Sequence, residues 1–181
     1  TQMSIAVAEV LLEHGVDATE DHYAAAFLRC YKRDPRAGYA RNFQALLESV
    51  DSAEQLQQRL RPASDKNGAC MRAVPIGVLA RPVDVVRVAQ RQAAVTHATW
   101  GGTHSAAAVA LMSHYALHED RRFADFIDWG SGALPALEKF RARWSGPVRA
   151  EGNEQLGLGM VTAWAVHTLL VEQGSLRDIM R

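Results

Sequence analysis

Cysteine and net charge are both scarce in this chain of 181 residues. Its two cysteines, Cys30 and Cys70, belong to no paired motif, and 20 basic residues balance 20 acidic ones. Two isolated cysteines exclude a disulfide-rich secreted scaffold and favour a reducing compartment, so we expect a cytoplasmic protein. A formal net charge of +0 argues against a surface dedicated to nucleic acid or to anionic membranes.

Long hydrophobic runs and strand-like alternation are also missing. No stretch approaches the length of a membrane span, and none has the pattern of a signal peptide, so we expect no membrane partner. No segment alternates apolar and polar residues between turns, as a half-buried strand would. The apolar residues recur instead at spacings of three and four, which predicts an all-α protein of about ten helices.

The first half of the chain predicts five helices. Residues 1–14 are apolar almost all round, which predicts a buried helix that Gly15 ends. Asp17 or Thr19 should cap the second helix, which stops before Asp34-Pro35. The remaining helices are predicted over about 38–50, over 52–60 and from Ala69, with Pro75 kinking or ending the last of them.

The second half predicts helices joined by short connections. Pro82 suits the first turn of a helix that runs to about Thr96. Further helices are expected over about 103–117, 121–129, around 134–144, 154–173 and 175–181, with a loop over 145–153.

A short polar loop at a helix start, residues 64–68, is the best candidate for a binding site. Ser64, Asp65 and Asn67 are turn and N-cap residues, and Gly68 allows close approach to the backbone. The N-terminus of a helix offers free N–H groups and the positive end of a dipole, which suit a phosphate or a hydroxyl-rich ligand. On spacing alone, helix capping is the commoner role of such a loop.

The amino-acid sequence of this region resembles that of a known family. Ser-Asp-x-Asn-Gly-Ala-x-Met-Arg-x-x-Pro-Ile-Gly, residues 64–77, resembles the central signature of the ADP-ribosylglycohydrolase family. Residues 38–44, Gly-Tyr-Ala-Arg-Asn-Phe-Gln, resemble a segment upstream of that signature. Thr96-His97, followed by Gly101, Gly102 and an alanine-rich run, resembles the downstream Thr-His element. The resemblance extends over nearly the whole chain.

The resemblance implies a fold, an activity and a set of site residues. The fold would be an irregular multi-helix bundle, and the activity would be hydrolysis at C1″ of ADP-ribose with two Mg²⁺ ions. ADP-ribose or an ADP-ribosylated protein would be the partner. The implied substrate-binding residues are Ser64, Asp65, Asn67, Gly68 and His97, with Asp65 at a variable position of the loop. Arg72 matches the signature arginine, for which we expect structural pairing.

The metal-binding elements of the family are not found in these 181 residues. Members carry a Thr-Asp-Asp-Thr element near the N-terminus, and Thr1–Ser4 resembles only the part of it from the last threonine onward. Members also carry a Gly-Asp-x-Asp-Thr element, which follows a helix like the one predicted over 175–181. We therefore expect residues 1–181 to form a single, incomplete domain that has no metal ligand and is inactive alone. Two other classes stay open, a non-catalytic ADP-ribose-binding domain and a helical interaction module.

Two further groups of polar residues have ordinary structural interpretations. His114 and His118 are four residues apart and could share a helix face as metal ligands do, but no glutamate lies between them. A position near a helix end, where the dipole favours histidine, is the expected explanation. Asp125 and Asp128 are expected to form a solvated face.

Overall fold

The computed structural model describes residues 2–147 and 156–173, and within them the chain is helical without a named strand, which confirms the all-α prediction. The α-helices are α1 Gln2–His14, α2 Glu20–Arg33, α3 Arg41–Ser49, α4 Ala53–Arg59, α5 Gly68–Met71, α6 Pro82–His97, α7 Trp100–His118, α8 Phe126–Gly130 and α9 Gly157–Gln173. Short 3-10 helices cover Gly15–Asp17, Val74–Val78, Phe123–Asp125 and Pro135–Phe140.

The centre of the bundle is α7, which packs against α5, α6, α9 and the 3-10 turn Val74–Val78. Its alanines at 106, 107, 108 and 110 have no exposed surface. Side chains this small let the neighbouring helices approach closely, so α7 is buried on most of its circumference. A second pair, α1 and α2, packs beside this group.

Several helix ends agree with their sequence signals. Gly15 has φ of +55° directly after α1, and the Thr19 hydroxyl accepts a hydrogen bond from His22 N in the first turn of α2. Ser52 caps α4 in the same way through Gln55 N, and Pro82 begins α6. These ends depend on local chemistry, which explains why they could be predicted.

The prediction that α1 is buried on all sides was wrong. Met3, Val7 and Val10 are buried, but Ile5 is 44% and Leu12 88% exposed. The buried residues recur at spacings of three and four and therefore share one face. Ile5 lies on another side, where it lines a cleft.

The helix predicted from Ala69 and two other predicted helices also needed correction. The segment from Ala69 forms the four-residue α5 and then a 3-10 turn around Pro75, with Met71, Val74 and Val78 more than half exposed. Proline removes an N–H donor and crowds the preceding turn, so a regular helix does not continue. The predicted helix near 121–129 is split into the 3-10 turn Phe123–Asp125 and the short α8, and the one near 134–144 is the 3-10 helix Pro135–Phe140.

The central helix α7 begins three residues earlier than the sequence indicated. Thr99 caps it by accepting from Gly102 N at 3.1 Å, so Gly101 and Gly102 lie inside the helix. The predictions for Thr1, for residues 148–153 of the loop, for the start of the last long helix at Glu154 and for the helix 175–181 lie outside the described residues.

Candidate functional site

A cleft of about 1310 Å³ opens beside the polar loop. Its walls come from the first turn of α1, from residues 34–46, from residues 59–72 and from the end of α6. The five residues that the resemblance implied all line it: Ser64, Asp65, Asn67, Gly68 and His97. The structure thus brings the predicted residues together, and their role in binding stays a prediction.

Hydrogen bonds hold the polar loop and the residues before it against the end of α6 and the start of α7. Ala98 N donates to Pro62 O at 2.6 Å, and an isolated antiparallel bridge joins Ala63 to His97. The Thr99 hydroxyl, which caps α7, also donates to Ser64 O at 3.0 Å. These contacts fix the loop to the corner between α6 and α7.

The start of α9 supports the loop from the other side. Gly159 N donates to Asp65 O at 2.9 Å. A Cβ atom at Gly159 would lie 3.0 Å from Lys66 O and 2.6 Å from the Ser105 hydroxyl, so a side chain here would push α9 away from the loop. The loop is therefore clamped rather than free.

Asn67 is not the side-chain cap that the sequence suggested. It occupies the N-cap position of α5, but its side chain makes no capping hydrogen bond. Its carbonyl accepts from Met71 N at 3.0 Å and from the Cys70 thiol at 3.0 Å. The half-buried side chain lines the cleft and has an amide donor and acceptor available to a ligand. Ser64, by contrast, does bond within the loop, accepting from Lys66 N at 3.3 Å.

Gly68 lies directly against the imidazole of His97. A Cβ atom at Gly68 would come within 3.2 Å of His97 Cε1 and 3.3 Å of His97 Nε2. Any larger residue would displace the ring or narrow the cleft. The glycine and the histidine, 29 positions apart, therefore form one surface of the site.

A buried polar network lies behind His97. Arg72 donates from Nε to Gln92 Oε1 at 2.6 Å, and from Nη2 to Gln92 O at 3.0 Å and to Thr96 Oγ1 at 2.8 Å. Gln92 in turn donates to Ala69 O at 3.1 Å, and Thr96 Oγ1 lies 2.6 Å from His97 Nδ1. Arg72 also stacks over Phe27, with its guanidinium carbon 4.4 Å from the ring centre. Arg72 therefore pairs structurally with neutral groups.

Burial shifts the protonation of both ends of this network. Desolvation lowers the pKa of Arg72 to about 9, and desolvation with the nearby Arg72 charge lowers the pKa of His97 to about 4. The arginine keeps its charge at neutral pH, whereas the imidazole is neutral.

The wall formed by residues 34–46 was not identified as part of the site from the sequence. Tyr39 and Phe43 are both only partly buried and line the cleft, with ring centres 6.1 Å apart. The signal was present in the resemblance of residues 38–44 to a family segment, but no local pattern indicates which distant loop it faces.

The rim of the cleft is basic. Arg36 pairs with Asp34 at 2.6 Å. Arg59, Arg61 and Lys66 are exposed, line the cleft and make no ion pair with any residue that the structure describes. Asp65 is the remaining carboxylate of the lining. The rim therefore favours an anionic ligand.

The histidine and aspartate pairs lie elsewhere. His114 Nδ1 lies 3.1 Å from Gly77 O, and its ring packs beside His118 and Trp129. The carboxylates of Asp125 and Asp128 are about half and three-quarters exposed, which agrees with a solvated face. Over residues 2–147 and 156–173, no group of three or more histidine, cysteine, aspartate or glutamate side chains could hold a metal ion.

The all-α bundle, with its clamped Ser-Asp-x-Asn-Gly loop beside a buried histidine, has the architecture implied by the resemblance. A sequence profile described as ADP-ribosylglycohydrolase matches residues 1–181, and the chain belongs to that family. The chain is also similar to the ADP-ribosylhydrolase ARH3 of Xenopus tropicalis, with 31% identity over an alignment of 163 positions that covers 85% of this chain. The chain spans 46% of the length of that relative. In the described part of the chain, no helix is long and apolar enough to cross a membrane.

Proposed function

We propose that the complete protein hydrolyses the glycosidic bond between the distal ribose of ADP-ribose and a modified protein or small conjugate. The observation that carries this proposal is the gathering of Ser64, Asn67, Gly68 and His97 around one cleft by contacts from three helices. The similarity to ARH3, an ADP-ribosylhydrolase by name, supports the same substrate class. The proposal concerns the complete protein, since the chain covers less than half of that relative.

The chemistry of the cleft suits ADP-ribose. Its volume of about 1310 Å³ is ample for a nucleotide sugar, since small-molecule pockets measure about 300–1000 Å³. Asn67 and His97 can bond hydroxyl or phosphate oxygens, and Tyr39 and Phe43 offer aromatic surface for a base. Arg59, Arg61 and Lys66 on the rim complement the two negative charges of the pyrophosphate.

Magnesium dependence is part of the proposal, although the described residues do not form a magnesium site. Of the carboxylates at the cleft, Asp34 is engaged by Arg36, and Asp65 belongs to no group of three or more potential metal ligands among the described residues. Mg²⁺ prefers several oxygen ligands in octahedral geometry. In the proposal, two Mg²⁺ ions are held by other residues of the complete protein, and the residues of this cleft bind the substrate.

The function is tested by giving the full-length protein ADP-ribosylated protein and measuring the release of free ADP-ribose, with magnesium and with a chelator. Magnesium-dependent release is expected. Tight binding of ADP-ribose without release would identify a non-catalytic ADP-ribose-binding domain, the alternative from the sequence. If the protein neither releases nor binds ADP-ribose, the helical interaction module is the alternative that remains.

Asn67→Ala tests the site itself. Losing a hydrogen bond to a polar or charged ligand costs about 1–3 kcal/mol, so calorimetry should show a loss of ADP-ribose affinity of about five- to hundredfold. His97→Ala should lose less. The melting temperature of Asn67→Ala should equal that of the parent, because the Asn67 side chain makes no capping hydrogen bond.

Gln58→Ala is the matched control for Asn67→Ala. Gln58 is an exposed amide that bonds only Glu54, at 3.2 Å, within the described residues. Its loss should change neither affinity nor melting temperature. Unchanged affinity in Asn67→Ala would contradict the site assignment.

A further inference from the structure

Arg72 is a buried cation whose hydrogen-bond partners are all neutral. It is 5% exposed, and within the described residues no carboxylate lies within ion-pair distance of it. Its bonds go to Gln92 Oε1, to Gln92 O and to Thr96 Oγ1. Burying an arginine without a counter-ion is costly, so this arrangement calls for a role beyond packing.

The bond from Arg72 to Thr96 has a fixed direction, whereas the bond between Thr96 and His97 depends on the tautomer of the ring. Arg72 can only donate, so the Thr96 hydroxyl is the acceptor in the bond of 2.8 Å. The hydroxyl has a single proton of its own to give, and His97 Nδ1 lies 2.6 Å away. Donation from Thr96 makes Nδ1 an acceptor, and the proton of the neutral imidazole must then be on Nε2.

The Nε2 atom lies, with Cε1, on the edge of the ring that faces Gly68. A Cβ atom built on Gly68 would lie 3.3 Å from it, and both residues line the cleft. The Nε2–H tautomer therefore presents a hydrogen-bond donor to the site. The other tautomer would present a lone pair, which repels the oxygens of a phosphate.

We propose that Arg72 and Thr96 are positioning residues that fix His97 in the Nε2–H tautomer, so that the ring donates a hydrogen bond to an oxygen of the bound ligand. The identity of that ligand as ADP-ribose rests on the proposed function. Arg72 acts through Thr96 and needs no contact with the substrate of its own.

The test compares Thr96→Val with Thr96→Ser in the full-length protein. Nitrogen-15 correlation spectra of the free protein report which imidazole nitrogen carries the proton. The parent and Thr96→Ser should show Nε2–H at His97, because serine keeps the hydroxyl. Thr96→Val should populate Nδ1–H, since valine matches the shape of threonine but cannot donate. Calorimetry should show about a tenfold loss of ADP-ribose affinity for Thr96→Val and less than about a twofold loss for Thr96→Ser.

Arg72→Met is the second variant. Without the arginine donor, the Thr96 hydroxyl can accept from Nδ1–H as readily as donate to it, so both tautomers should be populated. If Arg72→Met does not fold, the Thr96 pair still decides the proposal.

Three results overturn the proposal: Nδ1–H in the parent, an unchanged tautomer in Thr96→Val, or a changed tautomer with unchanged affinity. A parent that has the Nε2–H tautomer but does not bind ADP-ribose overturns the proposed function and, with it, the identity of the ligand. The spectra of the free variants then still decide whether Arg72 and Thr96 set the tautomer, so the two failures are distinguishable.

Discussion

His97 and His167 are both buried histidines with a pKa lowered to about 4, yet their surroundings have little in common. His97 lies beside the start of α7, where Thr96 bonds one ring nitrogen and the other faces the cleft. His167 lies toward the opposite end of α7, against Phe123, Phe126 and Phe140, and neither ring nitrogen has a partner among the described residues.

The comparison separates two consequences of burial. At His97 burial is accompanied by the Arg72 charge and by a hydrogen bond between Thr96 and one ring nitrogen. At His167 burial acts alone, and neither ring nitrogen has a hydrogen-bond partner in the part of the chain that the structure describes. A similar pKa therefore accompanies an organised site at one end of the molecule and a cost in stability at the other.

Acid should have the largest effect, because it acts on both histidines. A folded pKa of about 4 against about 6.5 in the unfolded chain means that the unfolded state binds protons first. Stability should be full above pH 6.5 and fall as the pH drops toward 4, by up to about 3 kcal/mol for each histidine. Urea unfolding at a series of pH values measures this, and equal stability at pH 7 and pH 5 would contradict it.

A pair of glycine variants tests how firmly each end is packed. A Cβ atom at Gly102 would lie 2.5 Å from the backbone oxygen of His97, whereas the closest contact of one at Gly130 would be the tip of the Leu137 side chain, at 2.7 Å. Backbone cannot yield as a flexible side chain can, so Gly102→Ala should cost about 1–3 kcal/mol of unfolding free energy. Gly130→Ala should cost less than about 1 kcal/mol. Denaturant melts compare them, with Gly132→Ala as the control because no atom lies within 4 Å there. Equal losses of unfolding free energy for Gly102→Ala and Gly130→Ala would contradict this expectation.

The helix termini also differ in how well the sequence predicted them. The caps at Thr19 and Ser52 and the start at Pro82 follow from local chemistry, and they could be predicted. The start of α7 could not be predicted, because the need for glycine at Gly101 and Gly102 comes from the close approach of backbone oxygens of distant or folded segments, Leu156 O and His97 O respectively.

No local sequence pattern predicts which distant segments of the chain contact one another. The loop residues 64–68 could be selected by their resemblance, but the clamp from Gly159 and the wall containing Tyr39 depend on contacts between distant segments. The link from Arg72 through Thr96 to His97 also spans two helices. The hydrophobic pattern shows which residues point inward and not which partner they meet.

His167→Leu should sharpen the comparison by removing the unsatisfied nitrogens. Leucine has a volume close to that of histidine. Replacing a buried polar group that has no partner within residues 2–147 and 156–173 should raise stability at pH 7 by about 1 kcal/mol. The dependence of stability on pH between 6.5 and 4 should become shallower by the contribution of one histidine. Urea melts of the parent and the variant at pH 7 and pH 5 measure both effects. Lower stability at pH 7 would indicate that His167 makes a bond outside the described residues.

Arg61→Gln should have the smallest effect, and it probes the charge of the cleft rim without touching the network behind His97. Arg61 is exposed and makes no ion pair with the described residues, so its removal should leave the melting temperature unchanged. An exposed charge contributes about 0.2–1 kcal/mol to an ionic contact, which predicts a loss of ADP-ribose affinity of up to about fivefold at low salt. The loss should disappear near 1 M salt, where screening acts within about 3 Å. Arg121→Gln is the matched control, since Arg121 is an exposed arginine just beyond the far end of α7, and its affinity should equal that of the parent at every salt concentration. A loss for Arg61→Gln that persists in high salt would show a direct hydrogen bond in place of general attraction, and the guanidinium would then belong to the binding site itself.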